Sequence, residues 1–291
     1  MANILSGKDV AAALNANLTE RAAALKAKGV NPTLAIVRVG ENGSDLSYER
    51  GATKRAAALG IEIVNFVLPV DCTKEELVAV IKKVNEDPAI HGCLMFRPLP
   101  AHLAADQNEI CNLLDPSKDV DSMNHLSNAG VYEGRNDLGY APCTAQACME
   151  ILDYYNIDLK GKNVCVVGHS LVVGRPAALL ALNRDATTTQ CHIFTKNTPE
   201  HTKAADIIIV ACGKAGLVTE KWLGEGQIVI DVGINVTAEG KIVGDVDKAA
   251  AEAAYKLALK KIEGAAKKGI IHKNTAARKK SAIARKANKA S

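Results

Sequence analysis

The sequence predicts a two-domain α/β protein with a basic, helical C-terminal tail. Short apolar runs alternate with amphipathic segments, and a glycine-rich turn follows a buried strand near the middle of the chain. Charge is also unevenly divided: the 291 residues carry +4, with 36 Lys and Arg against 32 Asp and Glu. Residues 248–291 hold 13 basic and 2 acidic residues, a charge of +11, which leaves −7 on residues 1–247. Such an asymmetry indicates a polyanionic partner for the tail.

Composition excludes several classes of protein. Hydrophobic residues make up 48% of the chain and charged residues 23%, which is globular and not disordered. No apolar run reaches the roughly 18–20 residues that a membrane helix needs, and the start lacks the regions of a secretory signal. The eight cysteines form no C-x-x-C pair, so we expect reduced, mostly buried thiols, no metal site and a cytoplasmic location.

The first domain is predicted over residues 1–122. Glycines end two of its helices, and Thr73 with Glu76 forms a capping box at the start of the third. The predicted order is helix 8–28, strand 32–39, helix 44–59, strand 61–68, a helix opening at Thr73, and strand 90–96. Strands alternating with helices favour a parallel sheet. Residues 115–142, rich in glycine, are predicted to be a loop at the domain boundary.

The second domain is predicted over residues 123–247 and has a clearer pattern. A helix at 144–155 leads into a further alternation of strands and helices. The predicted strands are 162–167, 187–194, 206–211 and 227–232, with helices at 177–182 and 198–204. This order is Rossmann-like.

The turn after strand 162–167 is a candidate phosphate site. Gly168 and Gly174 allow the backbone to approach a pyrophosphate closely, and the Ser170 hydroxyl can donate a hydrogen bond to it. Because the spacing is G-x-S-x-x-x-G, a plain structural turn remains the alternative. Thr195 and Lys196 follow the next strand without an acid, which favours NADP over NAD, although Lys196 on a loop is equally well explained as a merely exposed side chain.

Seven segments in a fixed order carry a resemblance to a known family. They are Val39-Gly40 with Tyr48, Arg97-Pro98-Leu99-Pro100 with His102, Lys118-Asp119-Val120-Asp121, Pro142-Cys143-Thr144, Val167-Gly168-His169-Ser170 with Val173-Gly174-Arg175-Pro176, Ala205-Asp206-Ile207-Ile208 with Gly213, and Asp231-Val232-Gly233-Ile234. Residues 1–247 thus resemble the methylenetetrahydrofolate dehydrogenase/cyclohydrolase family. The resemblance implies a folate-binding domain, an NAD(P)-binding domain, a homodimer, and oxidation of 5,10-methylenetetrahydrofolate to 5,10-methenyltetrahydrofolate with NADP or NAD.

The resemblance also implies site residues. Tyr48 and Asp121 match the family's catalytic positions, and Phe96 and Arg97 complete the substrate-binding set. The cofactor-binding set is Gly168, His169, Ser170, Gly174, Thr195, Lys196 and Ile234. His169 stands where NADP-using relatives often have arginine, so the choice between NADP and NAD stays open.

The chain departs from the family pattern at two positions that handle protons. The family's catalytic lysine aligns with Ala52, and its glutamine aligns with Phe96. Lys54 lies about 200° further around the helix, which makes it a poor substitute. General acid–base catalysis is worth about 10²- to 10⁴-fold, so we expect a dehydrogenase with weak or no cyclohydrolase activity.

The tail from residue 248 breaks the resemblance. The family's glycine-rich segment after Asp247 is missing, and residues 248–291 instead resemble the C-terminal part of bacterial small-subunit ribosomal protein twenty, which binds ribosomal RNA. The tail is predicted to be two basic helices suited to a phosphate backbone, or simply a solvated surface. Two alternatives to an active dehydrogenase follow: an RNA-binding or ribosome-associated chimera, and a folate-binding pseudoenzyme.

Overall fold

The computed structural model of the chain describes residues 5–249, and these form two compact units. The first unit is Lys8–Cys143. The second unit begins at Thr144 and also includes residues 5–7. These residues belong there because the Tyr155 hydroxyl donates a hydrogen bond to the Ser6 carbonyl (3.1 Å).

In the first unit, three parallel strands form a sheet in the order β2-β1-β3. Leu34 of the central strand pairs with Ile63 on one side and with Gly92 on the other. Buried side chains on β1, β3 and the flanking helices form one apolar core. The elements are α1 (Gly7–Ala27), β1 (Thr33–Val39), α2 (Gly43–Leu59), β2 (Glu62–Leu68), α3 (Lys74–Glu86), β3 (Gly92–Met95) and α4 (Gln107–Leu113).

Local sequence signals explain the helix ends of this unit. The Thr73 hydroxyl accepts from the Glu76 N–H (3.2 Å), and the Glu76 carboxylate accepts from the Thr73 N–H (2.8 Å), which confirms the predicted capping box. Asn42 caps α2, and Gly60 ends it in a left-handed conformation with φ +74°. The start and stop of α2 are therefore encoded in its flanking residues.

One helix lies where the sequence analysis predicted only a loop at 115–142. Helix α5 (His125–Glu133) begins beside Asp119, whose fully buried carboxylate accepts from the Met123 N–H (2.9 Å), the Asn124 N–H (2.7 Å) and the Ser127 hydroxyl (2.8 Å). A buried carboxylate bonded to three donors fixes the backbone that carries them. Residues 123–143 consequently pack with the first unit, whereas the sequence predicts the boundary between residues 122 and 123.

The second unit is a four-stranded parallel sheet in the order β5-β4-β6-β7. Its core lies on both faces of the sheet. The elements are α6 (Cys143–Tyr154), β4 (Asn163–Val167), α7 (Gly174–Leu182), β5 (Thr187–Cys191), α8 (Thr198–Ala204), β6 (Ile207–Val210), β7 (Ile228–Asp231) and the short antiparallel pair β8 (Asn235–Val236) and β9 (Ile242–Val243). The chain leaves β4 towards β5 and returns on the other side at β6. The topological switch point therefore lies between β4 and β6, where ligands bind such sheets.

Two elements of this unit differ in length from their predictions. The predicted strand 187–194 ends at Cys191, because residues 192–195 form a turn in which the Thr195 N–H donates to the His192 carbonyl (2.9 Å). Helix α7 starts at Gly174, three residues before the predicted start, and continues without a break from the glycine turn.

Other expectations concern thiols, membranes and the tail. All eight cysteines are free, and all except Cys143 and Cys212 are buried. No helix within residues 5–249 is long and apolar enough to cross a membrane. The predicted basic helical tail, residues 248–291, lies outside the described residues except for Lys248 and Ala249.

Candidate functional site

In the first unit, the predicted substrate residues meet at the carboxyl end of the sheet. Tyr48 projects from α2 and is 61% exposed. Its ring meets the Phe96 ring edge to face, with centroids 5.6 Å apart and planes at 86°. Phe96 directly follows β3 and donates its N–H to the Val37 carbonyl of β1 (3.0 Å). The end of β1 thus fixes the aromatic surface formed by Tyr48 and Phe96.

Arg97 and Asp121 form an ion pair beside this surface. The Arg97 Nη2 lies 3.2 Å from the Asp121 Oδ2, and both side chains are about three-quarters buried. A guanidinium holds a carboxylate in a defined orientation through directed N–H groups, which an apolar residue at position 97 would not do. Asp121 therefore presents an oriented acceptor next to Tyr48.

Cys143 completes this group of side chains. Its thiol donates to the Val120 carbonyl (3.1 Å). Although the residue is exposed, desolvation of the sulfur, with the Asp121 charge acting in the same direction, raises the pKa of Cys143 to about 11. Partial burial, together with Cys143 and Asp121, also raises the pKa of Tyr48. Both groups are consequently protonated donors at neutral pH. Tyr48, Phe96, Arg97, Asp121 and Cys143 are called the tyrosine cluster below.

Position 52 contributes no polar group to the tyrosine cluster. Ala52 lies one turn after Tyr48 on α2 and is half-buried, whereas Lys54 is exposed. Because α2 runs unbroken from Gly43 to Leu59, Lys54 projects about 200° away from the direction of Ala52.

In the second unit, the glycine turn lies at the switch point of the sheet. Gly168 has φ +124°, and its N–H donates to the Cys191 carbonyl of β5 (2.8 Å). A Cβ at Gly168 would overlap the carbonyl of Ala211, which follows β6, and a Cβ at Gly174 would overlap the Gly168 carbonyl. The backbone can pack this tightly only with glycine at both positions. The start of α7 is thereby brought against the ends of β4 and β6, the arrangement that suits a pyrophosphate.

Ser170 and His169 have defined places in this turn. The Ser170 hydroxyl accepts from the N–H groups of Val173 (3.1 Å) and Gly174 (3.4 Å), so it closes the turn and keeps its own proton for another acceptor. The Arg175 Nε donates to the His169 carbonyl (3.1 Å). The glycine spacing, the free hydroxyl proton and the helix start together fit a dinucleotide phosphate.

The other predicted cofactor residues are dispersed around the same edge of the sheet. Thr195 closes the turn after β5 by accepting from the His192 N–H (2.8 Å), and Lys196 follows it as an exposed side chain. Ile234, after β7, is 78% exposed. The rings of His169 and His192 contact each other with centroids 5.0 Å apart and planes tilted by 36°, which places a second imidazole at this edge.

A fully buried carboxylate, Asp245, fixes the backbone after β6. It accepts from the N–H groups of Cys212 (2.8 Å) and Gly213 (2.9 Å) and from the Asn235 amide (2.9 Å). Burial opposes its ionisation, but the hydrogen bonds from Asn235, Gly213 and Cys212 outweigh burial and lower the pKa of Asp245. Asp231 in turn accepts from the Asp245 N–H (2.9 Å). The two aspartates hold the loop opposite Gly168 in place.

Several residues that build these two sites are absent from the predicted site residues. Cys143 is predicted only as part of a motif, His192 lies within a predicted strand, and Asp245 has no predicted role. A thiol that directly follows a proline at the start of a helix was the available signal for Cys143. Within the described ranges, no group of three or more His, Cys, Asp and Glu side chains could hold a metal ion.

The two units define a class: α/β proteins in which one unit carries a dinucleotide-type turn. The model of the "Tetrahydrofolate dehydrogenase/cyclohydrolase, catalytic domain" family matches residues 5–121, and the model of its NAD(P)-binding domain matches residues 142–261. The chain belongs to the tetrahydrofolate dehydrogenase/cyclohydrolase family. A third model, ribosomal protein S20, matches residues 238–288 and overlaps the second. The predicted join near Asp247 lies inside that overlap.

Curated relatives and solved structures agree with this assignment. Bifunctional protein FolD of Alkaliphilus metalliredigens is 45% identical over 247 residues, which cover 85% of this chain and 86% of the relative. The FolD protein of Carboxydothermus hydrogenoformans is 47% identical over 249 residues, with 85% and 86% covered. Among structures, the bifunctional enzyme FolD of Campylobacter jejuni has a TM-score of 0.83 and 38% identity, covering 86% of this chain and 88% of its own. The Trypanosoma brucei enzyme complexed with NADP and inhibitor has a TM-score of 0.78 and 33% identity, covering 86% and 87%.

Proposed function

We propose that this chain is a methylenetetrahydrofolate dehydrogenase, which oxidises 5,10-methylenetetrahydrofolate to 5,10-methenyltetrahydrofolate. The observation that carries the proposal is the tyrosine cluster, in which a phenol, an aromatic face and an oriented carboxylate converge on one surface. The family membership of the chain and the names of its relatives support the same reaction.

Each residue of the tyrosine cluster has a proposed role. Asp121 accepts hydrogen bonds from the pterin, held in orientation by Arg97. Tyr48, protonated at neutral pH, donates to the substrate, and Phe96 offers an apolar face to the ring. These contacts fix the position of the one-carbon unit, and orientation is the main requirement of a hydride transfer.

The cofactor in this proposal is NADP or NAD, bound at the glycine turn. Gly168 and Gly174 let the backbone approach the pyrophosphate, and Ser170 donates to it. His169, Thr195 and Lys196 line the adenosine side, and Ile234 lines the nicotinamide side. When bound, the nicotinamide supplies the hydride acceptor. A structure of the Trypanosoma brucei relative contains NADP, which supports this cofactor without excluding NAD.

We further propose that cyclohydrolase activity is weak or absent. Hydrolysis of the methenyl product needs a group that takes a proton from water. In the tyrosine cluster, the raised pKa values of Tyr48 and Cys143 keep both groups protonated, and Asp121 is paired with Arg97. The methyl side chain of Ala52 can neither donate nor accept a proton. Of the two activities named for the relatives, we therefore propose only the dehydrogenase activity for this chain.

Turnover by the purified full chain tests the main proposal. The chain is mixed with methylenetetrahydrofolate and either NADP+ or NAD+, and reduced nicotinamide is followed by absorbance. We expect turnover with at least one cofactor and a large loss of kcat in Asp121→Asn. Asp137→Asn, which removes an exposed ion pair with Arg135 in the same unit, is the matched control. The proposal fails if neither cofactor is reduced.

RNA binding by the tail is a second candidate function, favoured by the ribosomal protein S20 match and by the charge of +11. Phosphate contacts of this kind weaken steeply with salt. A titration of RNA with the full chain and with a chain ending at Asp247 tests it. Equal affinity for the two chains, or affinity insensitive to salt, would reject this candidate.

The proposal also includes a homodimer and a cytoplasmic location. Eight free cysteines support the cytoplasmic location.

A further inference from the structure

A buried ion pair joins strand β1 to helix α2 beside Tyr48. The Arg38 Nε lies 2.7 Å from the Glu49 Oε2, and the two side chains are only 7% and 15% exposed. Arg38 also donates to the Gly40 carbonyl. Charged side chains are rarely buried in a parallel strand, and the neighbouring residues Val37 and Val39 are both buried in the apolar core.

The ion pair contacts the part of α2 that contains no fully buried apolar residue. The buried residues of α2 are Ala56 and Leu59, both near its C-terminal end. Tyr48 lies eight residues before Ala56, which is about 12 Å along a helix axis. Among the described contacts, the Asn42 cap holds the start of α2, while the Arg38–Glu49 pair and the Tyr48–Phe96 ring contact hold α2 near Tyr48, and only the ion pair is a directed contact.

Energetics argue that the pair serves geometry and not stability. Moving two charges out of water costs several kcal/mol per ion, and apolar residues of similar volume often stabilise a protein equally well. An apolar contact, however, allows a helix to slide and rotate, whereas a guanidinium–carboxylate contact has a fixed direction. The same end of β1 also holds Phe96 through the Val37 carbonyl.

We propose that Arg38 and Glu49 are positioning residues that set the direction of the Tyr48 hydroxyl towards the substrate. The proposal rests on the proposed dehydrogenase function. The proposed role of the pair involves neither cofactor binding nor folding of the first unit. Replacing both charged residues together should therefore leave cofactor binding and folding unchanged.

The test compares four variants of the full chain: Glu49→Gln, the double variant Arg38→Met/Glu49→Leu, Tyr48→Phe, and Tyr48→Phe combined with the double variant. The double variant leaves no lone buried charge, so we expect it to fold even if Glu49→Gln does not. We expect its kcat to fall by about 10- to 100-fold, the loss typical of a displacement near 1 Å, with an unchanged KM for the cofactor. Glu109→Gln, which removes an exposed ion pair with Lys74, should keep the wild-type kcat.

Coupling between the pair and Tyr48 separates positioning from a general structural role. If the pair acts through Tyr48, then Tyr48→Phe lowers kcat in the wild-type chain but hardly at all in the double variant. Additive losses, or wild-type kcat in the double variant, would overturn the inference while leaving the dehydrogenase proposal intact. Absence of turnover in the wild-type chain would instead refute the proposed function itself, and the inference with it.

Discussion

The conformation and burial of Ser122, the residue after Asp121, allow the effect of Ser122→Gly on the free energy of unfolding to be predicted. Ser122 has φ +54°, and its hydroxyl is buried without a hydrogen-bond partner among the described groups. A left-handed conformation costs a non-glycine residue about 1–2 kcal/mol, and an unpaired buried hydroxyl costs about 1–3 kcal/mol. Glycine itself offsets about 0.4–1 kcal/mol of this gain, because it increases the conformational entropy of the unfolded chain. Ser122→Gly should therefore stabilise the first unit by roughly 1–5 kcal/mol.

Two measurements check the Ser122→Gly prediction. The thermal midpoint of the first unit should rise by roughly 2–4 °C for each kcal/mol. Hydrogen exchange of α5, which begins just after Ser122, should slow in proportion, and it reports on the first unit separately from the second. Ser122→Ala is the matched control, since it removes the hydroxyl but keeps the backbone strain, and it should give a smaller gain. An unchanged or lower midpoint in Ser122→Gly would refute the reasoning.

Three further predictions concern the two sites. The double variant Ala52→Lys/Phe96→Gln should gain hydrolysis of methenyltetrahydrofolate by at least about 10²-fold, measured as loss of the methenyl absorbance, because it adds a group that can exchange protons with water. Gly168→Ala should abolish cofactor binding in a fluorescence titration of reduced nicotinamide, because its Cβ would overlap the Ala211 carbonyl. Alkylation of Cys143 should be slow at pH 7 and accelerate about tenfold per pH unit up to about pH 11, because the raised pKa of Cys143 leaves little thiolate at neutral pH.

A different result in each of these three experiments would contradict the prediction. No gain in hydrolysis by the Ala52→Lys/Phe96→Gln variant would show that position 52 is not what limits that step. Unchanged cofactor affinity in Gly168→Ala would contradict the tight turn, and Gly161→Ala, whose Cβ meets nothing within 4 Å, controls for the backbone strain of a positive φ. Rapid labelling of Cys143 at pH 7, located by mass spectrometry, would contradict the raised pKa.

How much of this molecule the sequence predicts depends on how local each signal is. The capping box of Thr73 and Glu76, the stop of α2 at Gly60 and the tight turn at Gly168 each rest on a few adjacent residues, and all three agree with the structure. Helix α5 was missed because it has only nine residues and depends on Asp119, a side chain outside the helix. Local signals do mark its ends, since Asn124 caps its start and Gly134 ends it in a left-handed conformation, but the packing that stabilises so short a helix is a tertiary effect.

The site shows the same division between local and long-range signals. Tyr48 and Asp121 were predicted only through their resemblance to a family, since nothing in their own surroundings brings them together. The Arg38–Glu49 pair was not predicted at all, because a charged residue inside an apolar strand has no local partner to suggest its role. Contacts between residues that are distant in the sequence can be predicted from resemblance to a family, but not from the periodicity of hydrophobic residues.

The hydrogen bonds around Asp245 have a consequence for the modular construction of the chain. The Val218 N–H donates to the Asp245 carbonyl (3.0 Å), and the Asp247 N–H donates to the Val218 carbonyl (2.9 Å), so the second unit is closed just before the basic segment starts. A cut or a new junction after Asp247 would leave all of these bonds in place. Because these hydrogen bonds lie within residues 212–247, we expect the sheet of the second unit to persist when the residues after Asp247 are exchanged.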